Sequence, residues 1–177
     1  MMTIAERATE FVLHHEDEPG TGKITSDTGG RTRYGISERS YPNAAKEIFT
    51  LPNEKARSYA KDFYIREFWN NTRLPQVKSY SLASKIMDMS VNMGAPRATK
   101  IVQMCCGLEM DGAFGSKTVA ALNAAAPKEL LLKICAAQEA YYRHLADVNP
   151  EKYSKFVVTK DGDDGHWIRR ARAFEED

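Results

Sequence analysis

Between Pro19 and Gly30 the chain places five residues that regular helix does not tolerate, Pro19, Gly20, Gly22, Gly29 and Gly30. Proline removes a backbone donor and glycine loosens the backbone, so this stretch must be loop or hairpin. Almost everywhere else the apolar residues recur at helical spacing. Ile4, Ala5, Ala8, Phe11, Val12 and His15 mark a helix over Thr3–His15. Ala56, Tyr59, Ala60, Phe63, Tyr64 and Phe68 mark another over Asn53–Trp69. Leu82, Ala83, Ile86, Met87 and Ser90 form a further face that ends near Asn92 and Gly94, and Ala98, Ile101, Val102 and Cys105 follow Pro96. Ser116 is placed to cap a helix over Lys117–Ala125. Pro127 opens the longest pattern, which Asn149-Pro150 ends near Val148. Stretches rich in β-formers are scarce. The expected fold class is all-α, mainly helical, with room for one small β-hairpin after Glu16.

Composition narrows the function. The chain has 177 residues, 42% hydrophobic, which suffices for a sizeable core. Its 25 basic and 24 acidic residues nearly cancel. Non-specific nucleic-acid binding therefore lacks its usual electrostatic drive. No apolar run reaches the roughly 18 residues that cross a bilayer, so stable membrane insertion is not expected. The N-terminus carries Glu6 and Glu10 and lacks the apolar core of a secretory signal. Cys105, Cys106 and Cys135 are odd in number, which fits synthesis in a reducing cytoplasm rather than a disulfide scaffold. The four histidines make no ligand spacing with them, so neither a metal nor a cofactor is expected.

The acids Glu16, Asp17 and Glu18 stand where the first helix ends, against the negative end of its macrodipole. A carboxylate there needs a reason. Partial burial and the helix terminus both disfavour its ionised form and raise its pKa, which suits a general acid that protonates a glycosidic oxygen. Glycoside hydrolysis adds a second carboxylate or an activated water across the sugar. Asp27 is the nearest carboxylate in a polar setting, and the Thr32 hydroxyl both donates and accepts, so it can hold water. Gly29, Gly30 and Gly35 would let backbone approach a sugar closely. The bland alternative is a solvated acidic loop followed by a turn at Asp27–Gly30.

The order His15-Glu16, Asp27, Gly29-Gly30, Thr32 and Gly35-Ile36 resembles the signature of glycoside hydrolase family 108. These are N-acetylmuramidases of lysozyme-like helical fold, found as phage-type endolysins and in loci once described as secretion activators. The resemblance puts the family's catalytic acid on Glu16. Met87–Gln103 and Asp111–Leu122 resemble the peptidoglycan-binding domain that follows in this family, and Gly165–Arg170 resembles its usual ending. The family commonly has two glycines after the acid; Asp17 and Glu18 stand there in this chain, where like charge would raise the pKa of the acid further.

What the resemblance implies is a catalytic region over 1–80 and a wall-binding region over 81–177, packed as one compact unit. The reaction would be hydrolysis of the β-1,4 bond between N-acetylmuramic acid and N-acetylglucosamine, with Glu16, Asp27 and Thr32 as the catalytic group. The alternatives are a lytic transglycosylase using the same acid, or a non-catalytic wall-binding or secretion-accessory protein. Gly30 offers backbone to the sugar, and Arg31 and Arg33 flank Thr32 where lactyl or peptide carboxylates would lie. Tyr34 is placed either to stack on a sugar or to pack in the core, and Asn92 either to bind an N-acetyl group or to cap its helix. The partner is the peptidoglycan strand. Lacking a signal segment, the protein would leave the cytoplasm through a holin or a dedicated secretion system and act at the cell wall or periplasm.

Overall fold

The structure, a computed structural model, describes residues 2–17, 20–27 and 30–177, with Asp27 described through its backbone alone. It is mainly helical, with a small three-stranded antiparallel sheet. The chain divides into two compact units, 1–75 and 76–177.

In the first unit, α1 (Ile4–Glu16) starts at a capping box. The Thr3 hydroxyl accepts from the Glu6 N–H at 3.2 Å, and the Glu6 carboxylate accepts from the Thr3 N–H at 2.7 Å. These bonds satisfy donors that the first helical turn leaves open. The buried stripe Ala8, Phe11 and Val12 packs on α3 (Asn53–Tyr64), which returns Ala56, Ala60 and Phe63. On the rim of that contact Glu10 takes Lys61 at 2.9 Å and also pairs with Arg57. The expected helix over Asn53–Trp69 changes pitch near its end. After Tyr64 it widens into a π-helical segment, Ile65–Asn70.

Between these helices lie β1 (Thr25–Asp27), β2 (Gly30–Arg33), β3 (Ile36–Ser37) and α2 (Pro42–Ile48). β1 pairs with β2 with Thr25 opposite Thr32 and Asp27 opposite Gly30; β2 pairs with β3 with Arg33 opposite Ile36. The expected hairpin thus gains a third strand, and α2 is an element that the helical period did not reveal.

In the second unit, α4 (Tyr80–Met93) is buried at every residue from Tyr80 to Ser90. α5 (Ala95–Cys105), α6 (Ser116–Ala124), α7 (Pro127–Val148), α8 (Pro150–Val157) and α9 (His166–Arg172) follow; α5 and α7 pack on α4, and α8 and α9 pack on α7. Ser116 is the first residue of α6 rather than its cap: Gly115 holds the cap position and has no side chain with which to cap. Asn149 ends α7 as expected, and its side chain also accepts from the Lys152 N–H at 3.2 Å, so the same residue starts α8. Trp167 of α9 stacks on Phe156 with ring centroids 4.7 Å apart and lies 4.8 Å from Tyr142.

α9 is fastened to α7 at the surface. Glu139 accepts from Arg172 at 2.7 and 2.8 Å and from Arg143 at 2.8 Å. Arg172 first, then Arg143, hold the Glu139 carboxyl down at about 2 from its ordinary 4.5. A depressed carboxylate stabilises the fold above its unfolded pKa and loses that contribution as pH falls through the folded one. Wild type is therefore expected to exceed Glu139→Gln in urea resistance at pH 6, and the difference should close between about pH 4.5 and pH 2. Urea midpoints measured across that range check it.

Candidate active site

Glu16 is the last residue of α1 and is half-buried. The chain turns at Asp17, whose own N–H still donates to the Leu13 carbonyl at 2.9 Å. The Asp17 carboxylate then accepts the Gly22 N–H at 2.6 Å, and its carbonyl accepts the Gly20 N–H at 2.7 Å. Asp17 therefore closes the loop that follows the acid. Glu18 lies outside the described residues, as do Thr28 and Gly29.

The β2–β3 turn comes up against the acid. Arg33 and Ile36 face each other, leaving Tyr34 and Gly35 as a two-residue loop with φ of +50° and +77°. Two consecutive positive φ values define the type I′ turn, whose twist matches that of the flanking strands. Tyr34 is the one residue other than glycine with positive φ among the described residues. It is held at both ends. Its hydroxyl donates to the Asn53 side chain at 2.8 Å, and its carbonyl accepts from the Tyr64 hydroxyl at 2.8 Å. Burial first, then the nearby Asp17 charge, push the Tyr34 phenol up.

Gly35 is where the acid meets this turn. A Cβ on Gly35 would lie 2.6 Å from Glu16 Oε2 and 2.3 Å from the Tyr64 hydroxyl oxygen. The position therefore admits neither the conformation nor the volume of a side chain. Glycine there brings bare backbone against the Glu16 carboxyl. His15, beside the acid, bonds the Phe11 carbonyl through Nδ1 at 3.0 Å and sets its ring edge-on to Phe11 at 4.6 Å.

The other candidates divide by strand face. Side chains alternate along β2, so Gly30 and Thr32 look one way and Arg31 and Arg33 the other. Thr32 is half-buried and opposite both Thr25 and Ser37. Asp27 ends β1 opposite Gly30, and its side chain lies outside the described residues. Arg31 is exposed and paired with Glu38 at 3.1 Å, its guanidinium 4.8 Å from the centre of the Phe49 ring. Arg33 is buried. It donates to the carbonyls of Gly22 at 2.8 Å, Ile48 at 2.8 Å and Leu51 at 2.7 Å, joining the acid's loop to the end of α2. Tyr34 is only 4% exposed. Asn92 belongs to α4 in the second unit, where its side chain accepts from the Tyr142 hydroxyl. Among the described residues no three His, Cys, Asp or Glu side chains gather as a metal-binding group, and no helix is long and apolar enough to cross a membrane.

Sequence reasoning passed over Tyr64 and Asn53. Tyr64 read as one more apolar position on a helix face. Its signal was the hydroxyl, which a buried tyrosine must satisfy somewhere.

Residues 9–94 match the family described as Glycosyl hydrolase 108, and residues 97–172 match the Predicted Peptidoglycan domain. Among solved structures the chain is similar to SagA of Brucella abortus, with 22% identity over 98% of this chain and 96% of that one, and a TM-score of 0.63. That likeness is one of fold. No curated protein matches the chain. The two family matches follow one another along almost the whole length, and the chain thus carries a glycosyl hydrolase 108 domain followed in sequence by a peptidoglycan-binding domain.

Proposed function

We propose that this protein is an N-acetylmuramidase: it hydrolyses the β-1,4 bond between N-acetylmuramic acid and N-acetylglucosamine in peptidoglycan, with Glu16 as general acid. The observation that carries the reading is the seat of the Glu16 carboxyl, half-buried at the end of α1 and pressed against the Gly35 backbone. A carboxyl fixed by backbone on one side keeps its direction while a sugar oxygen approaches from the other. Proton delivery depends on that geometry before it depends on acidity. The peptidoglycan-binding domain supplies the substrate class, since it would keep the hydrolase domain on the wall between cleavages.

In the proposed reaction Glu16 gives its proton to the leaving oxygen as the glycosidic bond breaks. Asp27 and Thr32 serve the opposite side, by orienting the attacking water and by stabilising the positive charge that grows on the sugar. Gly30, at the start of β2, and the exposed Arg31 offer contacts to the strand beyond the reacting ring.

Product masses test the reading. Purified protein on isolated peptidoglycan is expected to release muropeptides with a free reducing muramic end. Anhydromuramic products, lighter by one water, would make the protein a lytic transglycosylase instead. Wall binding with no release of either product would make it an accessory protein.

A further inference from the structure

We infer that Tyr64 is the positioning residue of the general acid, acting through the carbonyl of Tyr34 and the turn that presents Gly35 to Glu16. This rests on the reading of Glu16 as the acid.

The turn is built against its own preference. Asparagine or aspartate followed by glycine forms type I′ at little strain, whereas a bulky aromatic at positive φ is an outlier. Such conformations persist only when their surroundings over-determine them. Here the restraints can be named. Tyr64, the last α-helical residue of α3 before the π-helical widening, donates to the Tyr34 carbonyl at 2.8 Å. Asn53, at the opposite end of α3, takes the Tyr34 hydroxyl at 2.8 Å. The turn is therefore strung between the two ends of one helix.

The same atoms reach the acid's own loop. A Cβ on Gly22 would lie 2.4 Å from the Tyr34 hydroxyl oxygen and 1.8 Å from Asn53 Oδ1, so this loop too comes in as bare backbone. Gly22 is joined to Asp17 through its N–H and to Arg33 through its carbonyl. Glu16 thus lies between a loop tied by Asp17 and a turn tied by Tyr64. Removing the Tyr64 hydroxyl frees the Tyr34 carbonyl, lets Tyr34 relax from positive φ, and withdraws the Gly35 backbone from the carboxyl. The fold survives this change, because the ring of Tyr64 keeps its packing. The aim of the acid does not.

The test is Tyr64→Phe in the full chain, assayed on purified peptidoglycan beside wild type and Glu16→Gln. The expected result is a kcat about tenfold lower with KM within about twofold, since the lost interaction holds the acid and not the substrate. Amide hydrogen exchange at Gly35 and Ile36 should quicken while α3 keeps its protection. Asn53→Ala, at an exposed position, should lower kcat by a few-fold in the same sense and serves as the deciding variant if Tyr64→Phe fails to fold. Wild-type kcat in the folded variants, with Glu16→Gln inactive, would overturn the positioning role and leave the acid in place. An active Glu16→Gln would overturn both.

Discussion

Glu16→Gln is expected to slow glycan cleavage by about 10²–10⁴-fold, the range that a positioned general acid contributes. The amide keeps the size and reach of the carboxyl but carries no acidic proton to deliver. Stability should not fall with activity. Glu16 closes α1, where the macrodipole is negative, so losing a carboxylate there is neutral or gains up to about 1 kcal/mol. Gln also fits the seat against Gly35, because its side chain has the same length and branching. A variant that melts at or slightly above the wild-type temperature, still sediments with insoluble peptidoglycan, and releases no muropeptide is the expected combination. Turbidity clearing and product release, measured on the same preparation, check it. Clearing at the wild-type rate would remove Glu16 from the reaction. Loss of clearing together with a lower melting temperature would place the residue in the fold instead.

What the sequence discloses about this molecule follows how locally each feature is encoded. α1 was legible within a residue at each end because its start is a local device, Thr3 with Glu6, and its end is a glycine-rich loop. Pro127 and Asn149-Pro150 bounded α7 for the same reason, since proline acts on its own neighbours. The seven residues of α2 and the two of β3 are too short to show a period. At the site, Glu16 stood out because a carboxylate at a helix C-terminus contradicts a local rule. Tyr34 was a candidate for sugar stacking or core packing, but its place in a turn was hidden, because tyrosine carries no turn signal: tertiary bonds to Asn53 and Tyr64 hold the positive φ. Arg31 and Arg33 look equivalent in sequence and share one face of β2; what separates them is tertiary, since the carbonyls of Gly22, Ile48 and Leu51 take Arg33 into the interior while Arg31 stays at the surface with Glu38. Asp17 read as a second acid beside the first; its carboxylate turned out to face a backbone N–H across the loop.

The largest stability effect is expected in the second unit, at residues that a helical pattern would assign to solvent. Lys85 and Asp88 of α4 are fully buried, and Arg170 of α9 is 5% exposed. Arg170 donates to the Asp88 carboxylate through Nε at 3.1 Å to each oxygen and through Nη2 at 2.8 Å. The Lys85 ammonium meets the carbonyls of Arg170 at 2.9 Å, Ala171 at 2.9 Å and Ala173 at 2.8 Å, where α9 runs out of internal donors. Burial pushes the Lys85 ammonium down, and the neighbouring Asp88 charge works against that push. Asp88 thus faces both cations that fasten α9 to α4. Asp88→Ala takes three hydrogen bonds from a buried guanidinium and leaves Lys85 and Arg170 without the carboxylate beside them. Breaking a buried pair from one side costs about 3–5 kcal/mol, because the desolvated partner stays behind. Asp88→Asn keeps the shape and one acceptor, so its loss should be smaller. Replacing both partners of the ion pair, Asp88→Leu with Arg170→Met, removes the stranded guanidinium and leaves Lys85 on its three carbonyls, so it should recover part of the loss. Urea unfolding followed by circular dichroism on the full chain measures all three variants. A loss below about 1 kcal/mol for Asp88→Ala would mean that the buried ion pair adds little to what the packing of Ile168 and Trp167 and the bonds from Lys85 and Glu139 already hold.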